Sequence, residues 1–161
     1  LRMIKNILGT DFKYEDDKLY RLDKKHKKWN CCSNNKSNTK YIQIGINNKM
    51  YQLHRIIYKY FNDEWDLTDS SSNNQIDHID IDPTNNKIEN LRRVNNSQNQ
   101  RNKNKKKNCS SQYKGVYWHK QNNKWLAYIR IDGKIKHLGS FTNEEEAAEE
   151  YKKKYDEIMD F

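Results

Sequence analysis

Gln75-Ile76-Asp77-His78-Ile79-Asp80 is the stretch on which the reading of this chain turns. It places a carboxylate beside an imidazole at the end of a short apolar run. The carboxylate suits a hard divalent cation, which prefers oxygen ligands. The imidazole titrates near neutral pH and can take a proton from water. Together they form a useful pair for phosphodiester hydrolysis. Asn is frequent here, 22 of 161 residues, so no single Asn carries weight. Order and spacing carry more: His54-Arg55 upstream, then Asp77-His78, then Asn90-Leu91, then Asn99. Asp80 and Asp82 are further carboxylates close to the pair.

The flanks of this stretch have their own patterns. Upstream, Tyr41-Ile42-Gln43-Ile44-Gly45-Ile46 alternates with period two, and Lys49-Met50-Tyr51-Gln52-Leu53 follows. Asn47-Asn48 between them is turn chemistry, because Asn tolerates positive φ. The pattern predicts a β-hairpin. Apolar residues at 56, 57, 60 and 61 predict a short helix over 54–61, and 62–75 reads as a loop. The segment before 38 is polar with scattered aromatics, with one short strand expected at 18–22 and a loop at 33–39. Downstream, 95–107 reads as a polar, basic helix fading into a linker at 108–112.

The last 50 residues differ. Gly115–His119, Trp125–Ile131 and Lys134–Phe141 read as three strands, with a turn at Gln121-Asn122-Asn123. Asp132-Gly133 is a strong hairpin signal. Thr142 and Glu145 have the spacing of a capping box, and a helix is expected to follow. Strand alternation turns Val116, Trp118, Trp125, Ala127, Ile129 and Leu138 toward that helix. It turns Tyr117, His119, Tyr128, Arg130 and His137 outward. Tyr, Trp and Phe number 19, enough to build small cores in a chain only 34% hydrophobic.

Charge is concentrated rather than spread. Net charge is +9 overall, yet residues 101–142 alone carry +10 and residues 143–161 carry −5. Such a basic stretch is a footprint for a polyanion, most simply nucleic acid. Three cysteines, two of them adjacent, exclude a disulfide framework and a zinc ribbon. A reducing, intracellular compartment is the expectation. No apolar run approaches a membrane span, and Leu1-Arg2-Met3-Ile4-Lys5 has no signal-peptide pattern.

Residues 41–104 resemble HNH homing-type endonucleases of the ββα-metal class. The matching residues are Tyr51-Gln52-Leu53-His54-Arg55-Ile56-Ile57, Ile76-Asp77-His78-Ile79-Asp80, Asn86-Lys87-Ile88-Glu89-Asn90-Leu91-Arg92-Arg93-Val94 and Ser97-Gln98-Asn99-Gln100-Arg101-Asn102. The resemblance implies two short strands and a helix around one Mg²⁺-type ion. It makes Asp77 and Asn99 the metal ligands, His78 the general base and Asn90 the brace that orients His78. Many relatives carry His at the position of Asn99. A neutral oxygen donor there suits Mg²⁺ or Mn²⁺ better than Zn²⁺. Hydrolysis leaving 5′-phosphate and 3′-hydroxyl ends is implied. His54-Arg55 is expected to pack and position this segment, with Arg55, like Arg101, a candidate DNA contact.

Residues 113–151 resemble the plant ethylene-response-factor type of DNA-binding domain, which also occurs fused behind HNH nucleases. The match runs through Tyr113-Lys114-Gly115-Val116-Tyr117-Trp118-His119-Lys120, Lys124-Trp125-Leu126-Ala127-Tyr128-Ile129-Arg130-Ile131, His137-Leu138-Gly139-Ser140-Phe141 and Glu144-Glu145-Glu146-Ala147-Ala148. It implies a sheet laid against double-stranded DNA, with Tyr117, His119, Tyr128, Arg130 and His137 facing it and Lys114, Lys120 and Lys124 on phosphates. The plant domains carry several Arg on this face. Here the set is mostly Tyr, His and Lys, with Ile at 135, so base readout and a general duplex clamp both stay open.

The expected fold is therefore α+β. A ββα-metal core is preceded by a β-hairpin and helix, and is followed by a three-stranded antiparallel sheet packed on one helix. The expected division is a nuclease domain at 1–107, a linker at 108–112 and a DNA-binding domain at 113–161. The competing expectation is a non-catalytic DNA-binding regulator that keeps a dead nuclease fold.

Overall fold

The computed structural model describes residues 3–34, 40–102 and 109–159. These contain three α-helices and antiparallel sheets only, an α+β fold as the sequence predicts. They divide into two compact units, residues 1–94 and 95–161.

The first unit opens with a four-stranded antiparallel meander: β1 (Ile4–Ile7), β2 (Thr10–Glu15), β3 (Lys18–Asp23) and β4 (Lys28–Cys31). The sequence suggests one strand here and the structure forms four. The hairpins turn through Leu8-Gly9 and Asp16-Asp17, all at positive φ. Neither pair is the Asn-Gly type that marks such turns most clearly. Charged side chains on the outer face also dilute the apolar alternation. Lys13 lies over the rings of Tyr20 and Trp29, 5.1 and 5.4 Å from their centroids. Phe12 and Leu19, on the other face, are fully buried.

The expected hairpin follows as β5 (Gln43–Ile46) and β6 (Lys49–Gln52). Asn47 and Asn48 both take positive φ, as a type I′ turn demands. Helix α1 (Leu53–Phe61) begins at once, its first N–H donating to the carbonyl of Ile42 at 2.8 Å. Leu53, Ile56, Ile57 and Tyr60 recur at helical spacing and fill the core with Ile44, Ile46, Ile76 and Leu91. A short pair, β7 (Gln75–His78) and β8 (Leu91–Val94), closes the unit and packs on α1.

In the second unit, α2 (Asn96–Arg101) starts at a capping box in which Asn95 and Gln98 satisfy each other's backbone N–H. It covers the first part of the helix expected at 95–107 and is capped at Asn102. Residues 103–107, and Asn108 of the expected linker, lie outside the described residues, as does most of the loop expected at 33–39. Strands β9 (Val116–His119), β10 (Lys124–Ile131) and β11 (Lys134–Phe141) form one sheet with β10 central. A bulge pairs Ala127 with Gly139 but Tyr128 with His137, leaving Leu138 as the extra residue. Helix α3 (Glu144–Met159) lies on this sheet through Ala147, against buried Val116 and Ala127. Its N-cap is Asn143, whose side chain accepts from the Glu145 N–H at 2.8 Å, so the helix starts one residue later than the box at Thr142 implies. Gly115 has φ +75, and a Cβ there would overlap the Tyr151 ring and come within 2.7 Å of the Tyr128 carbonyl oxygen.

Candidate active site and nucleic-acid surface

Strand β7 delivers Asp77 and His78 as neighbours, both buried, at 9% and 5% exposure. Two rings fix the imidazole. Tyr41 lies nearly parallel to His78, 18° between planes, and His54 meets it edge-on with centroids 4.9 Å apart. Tyr41 also packs on His54. Asn86 completes the grip, its Oδ1 lying 3.0 Å from His78 Nε2. An amide oxygen can only accept, so Nε2 is the donor and a neutral His78 carries its lone pair on Nδ1. Burial, with His78 and Arg55 nearby, holds the His54 pKa down at about 3. His54 therefore stays neutral beside His78 and adds no charge at neutral pH.

Asp77 sits across from Arg92 in the β7–β8 register, and its Oδ2 accepts from Arg92 Nη2 at 3.2 Å. Asn90 ties together the ends of the loop that follows β7. Its Nδ2 donates to Asp80 Oδ1 at 2.9 Å and to the Asn85 carbonyl at 2.8 Å. Its Oδ1 accepts from the Asp80 N–H, and its carbonyl accepts from the Ile79 N–H. Desolvation works against ionising Asp80, but hydrogen bonds from Asn85 and Asn90 hold its carboxyl below the usual range. Asp82 accepts from Thr84 in the same loop. Both alternative carboxylates are thus engaged in shaping the loop. Sequence reasoning assigned no role to Asn86, although it lies inside the matching run.

Arg55, a candidate DNA contact, instead lies over the Trp65 ring and donates to the carbonyls of Leu67, Asp69 and Asn74. That is a packing role that ties the 62–75 loop to α1. Asn99 stands on α2, in the second unit. Asp77 and Asn99 offer one carboxylate and one amide, an all-oxygen donor set. Among the described residues no group of three or more His, Cys, Asp or Glu is placed to hold a metal. Mg²⁺ takes oxygen donors, one or two carboxylates with waters and substrate phosphates supplying the rest, so the chemistry of each residue taken by itself suits it.

In the second unit, Arg101 is 7% exposed, and its Nη1 donates to Ser97 Oγ and to the Arg130 carbonyl at 3.0 Å. Strand β9 pairs only with residues 124–127 of β10, so this carbonyl lies beyond its reach and Arg101 satisfies it. Arg101 works inside the fold rather than as a surface cation. Lys114 donates to the Arg101 carbonyl, and burial lowers its pKa. The outward face is otherwise as expected. Tyr117, Arg130, His137 and Lys120 are exposed, and Lys124 is half-buried. The Tyr128 ring lies against His137, centroids 4.9 Å apart. His119 is half-buried, with Nδ1 enclosed. Trp118, half-buried, packs on Trp125 at 5.0 Å, and Trp125 in turn packs against the small core of Val116, Ala127 and Ala147.

No helix among the described residues is long and apolar enough to cross a membrane. No disulfide joins the described cysteines. Neither the curated proteins nor the solved structures give a match to the chain. The comparison with protein families does: residues 51–101, which run from β6 through β7 and β8 to the end of α2 and include Asp77, His78, Asn90 and Asn99, match the HNH endonuclease family.

Proposed function

We propose that this chain is a metal-dependent endonuclease that hydrolyses phosphodiester bonds of double-stranded DNA at a recognised site. The observation that carries the reading is His78, clamped by Tyr41, His54 and Asn86 and adjacent to Asp77, inside the stretch that matches HNH endonucleases. His78 is the general base and accepts the proton of a water on Nδ1, the nitrogen opposite its bond to Asn86. Tyr41 and His54 keep the ring from rotating. Asn90 holds the loop that places Asn86. Asp77 and Asn99 supply oxygen ligands to Mg²⁺ or Mn²⁺. When bound, the ion would stabilise charge on the phosphate and on the departing oxygen.

The proposed nuclease part runs to about residue 107 and so takes in α2 of the second compact unit, and the DNA-holding part runs from about 113. In this reading Tyr117, Tyr128, Arg130 and His137, exposed or half-buried on the three-stranded sheet, face DNA, with Lys120 and Lys124 on phosphates. The Arg92 guanidinium beside Asp77 favours one competing reading, a DNA-binding regulator with an inactive site, because it offsets the charge that would attract a cation. A plasmid-nicking assay separates the two. Cutting in Mg²⁺ that disappears in EDTA and in His78→Ala supports the enzyme. Equal products from wild type and His78→Ala overturn it.

A further inference from the structure

The second unit holds a groove of about 390 Å³ between α2 and β10, reaching the Tyr151 ring of α3. Tyr117 and Tyr128 line it from the sheet, their ring centroids 6.3 Å apart and their planes 58° to each other. Asn96 and Gln100, exposed and one helical turn apart on α2, line it with amides. Arg130 and the buried Arg101 add positive charge, and no carboxylate lines the groove. The groove is built in advance. Arg101 pins α2 to the sheet through Ser97 and the Arg130 carbonyl, and Lys114 fastens the Arg101 carbonyl.

We propose that this groove receives one unpaired base of a DNA strand, stacked on Tyr128 with the tilted Tyr117 ring beside it, and with its polar edge met by Asn96 and Gln100. The ligand must be flat, because tyrosine rings form the sheet-side wall. It must carry donors and acceptors along its edge, because amides supply both. It must be anionic nearby, because the charged residues that line the groove are cationic. An unpaired nucleotide meets all three conditions. A base inside a duplex does not enter, since its neighbours cover both faces and its partner covers the pairing edge. The groove thus recognises a bulged or extruded nucleotide, which goes beyond cutting and beyond holding a regular duplex.

The test measures binding of the whole chain in EDTA, so that no cutting intervenes. Two duplexes of the same sequence are compared, one fully paired and one carrying a single bulged 2-aminopurine. The bulged duplex should bind about tenfold tighter, and its fluorescence should fall as the base stacks. Gln100→Ala and Tyr128→Ala should each shrink the ratio of the two affinities, and Tyr128→Phe should keep it. Gln100 is exposed, so its variant tests the site even if Tyr128→Ala fails to fold. Equal affinities, no quenching, or a ratio untouched in both alanine variants would overturn the proposal. A chain that nicks plasmid but ignores the bulge sinks the groove alone. One that prefers the bulge but never cuts sinks the nuclease alone.

Discussion

His54 is a histidine kept neutral by its surroundings, and this has a measurable consequence. Its folded pKa of about 3 lies below the ordinary 6.5, chiefly because burial disfavours the charged form. Between those values the unfolded chain takes up a proton that the folded chain does not. This contribution to stability is intact above 6.5 and is lost as pH falls toward 3, by about 1.4 kcal/mol per pH unit. Urea unfolding of wild type and His54→Leu at pH 5 and pH 7 checks the sign: the variant should lose less stability than wild type on acidification. At the neighbouring residue, His78→Ala should slow cleavage about 10²- to 10⁴-fold, the usual worth of a general base. Asn86→Ala should slow it at least about tenfold, because the ring loses the acceptor that fixes its tautomer. Unchanged single-turnover rates in Asn86→Ala would remove that residue from the mechanism. The Asp77-His78 pair was legible in the sequence because two adjacent residues need no fold to be neighbours. The clamp of Tyr41, His54 and Asn86 was not, since those residues are brought to His78 from three separate segments.

Among the elements, α2 and α3 are secured in different ways. Helix α2 is six residues long, too short to persist by propensity. Its capping box and the Arg101 bridge to β10 hold it. Arg101→Met should strip the Arg130 carbonyl of its partner and cost about 1–3 kcal/mol of local stability, read as faster amide exchange in α2 with β5 and β6 unaffected. Gly115→Ala should destabilise the second unit by more than the loss of a cap, because both its φ and its space exclude a Cβ. Thermal unfolding would show this, with Asn143→Ala, worth about 1 kcal/mol, as the yardstick. The period-two and helical patterns made β5, β6, α1 and the last three strands readable. They failed for β1 to β4, where charged residues occupy the outer face and the turns at Leu8-Gly9 and Asp16-Asp17 are not of the Asn-Gly type. They also misplaced the start of α3 by a residue, because Thr142 and Asn143 are both competent caps and only the chain's path to β11 selects between them.

Over the whole molecule, charge is the property that sequence counting resolves best. Residues 101–142 hold an excess of +10, which sets a strong salt dependence for DNA binding. Each phosphate contact adds about −0.9 to the slope of log K against log salt, so Lys120→Ala should flatten that slope by about one. An unchanged slope would place Lys120 off the DNA. Counting cannot tell which cations face outward. Arg101 looks available in the sequence, yet it stitches a helix to a sheet edge, and Arg55, expected chiefly to pack, stacks on Trp65. A guanidinium's five donors make it as good a link between carbonyls as a phosphate ligand, and only packing decides between the two.

The sequence by itself determined the α+β class, the hairpin-and-helix lead into Asp77-His78, the three-stranded sheet with its helix, and the site of the basic excess. These follow from local periodicity, turn chemistry and charge, each carried by residues near one another in the chain. Tertiary structure alone decided the four-stranded meander, the ring clamp on His78, the partners of Arg55, the internal work of Arg101, and the groove beside β10. Those depend on contacts between distant segments, whose partners are set by which surfaces bury together and which backbone groups a short strand leaves unpaired.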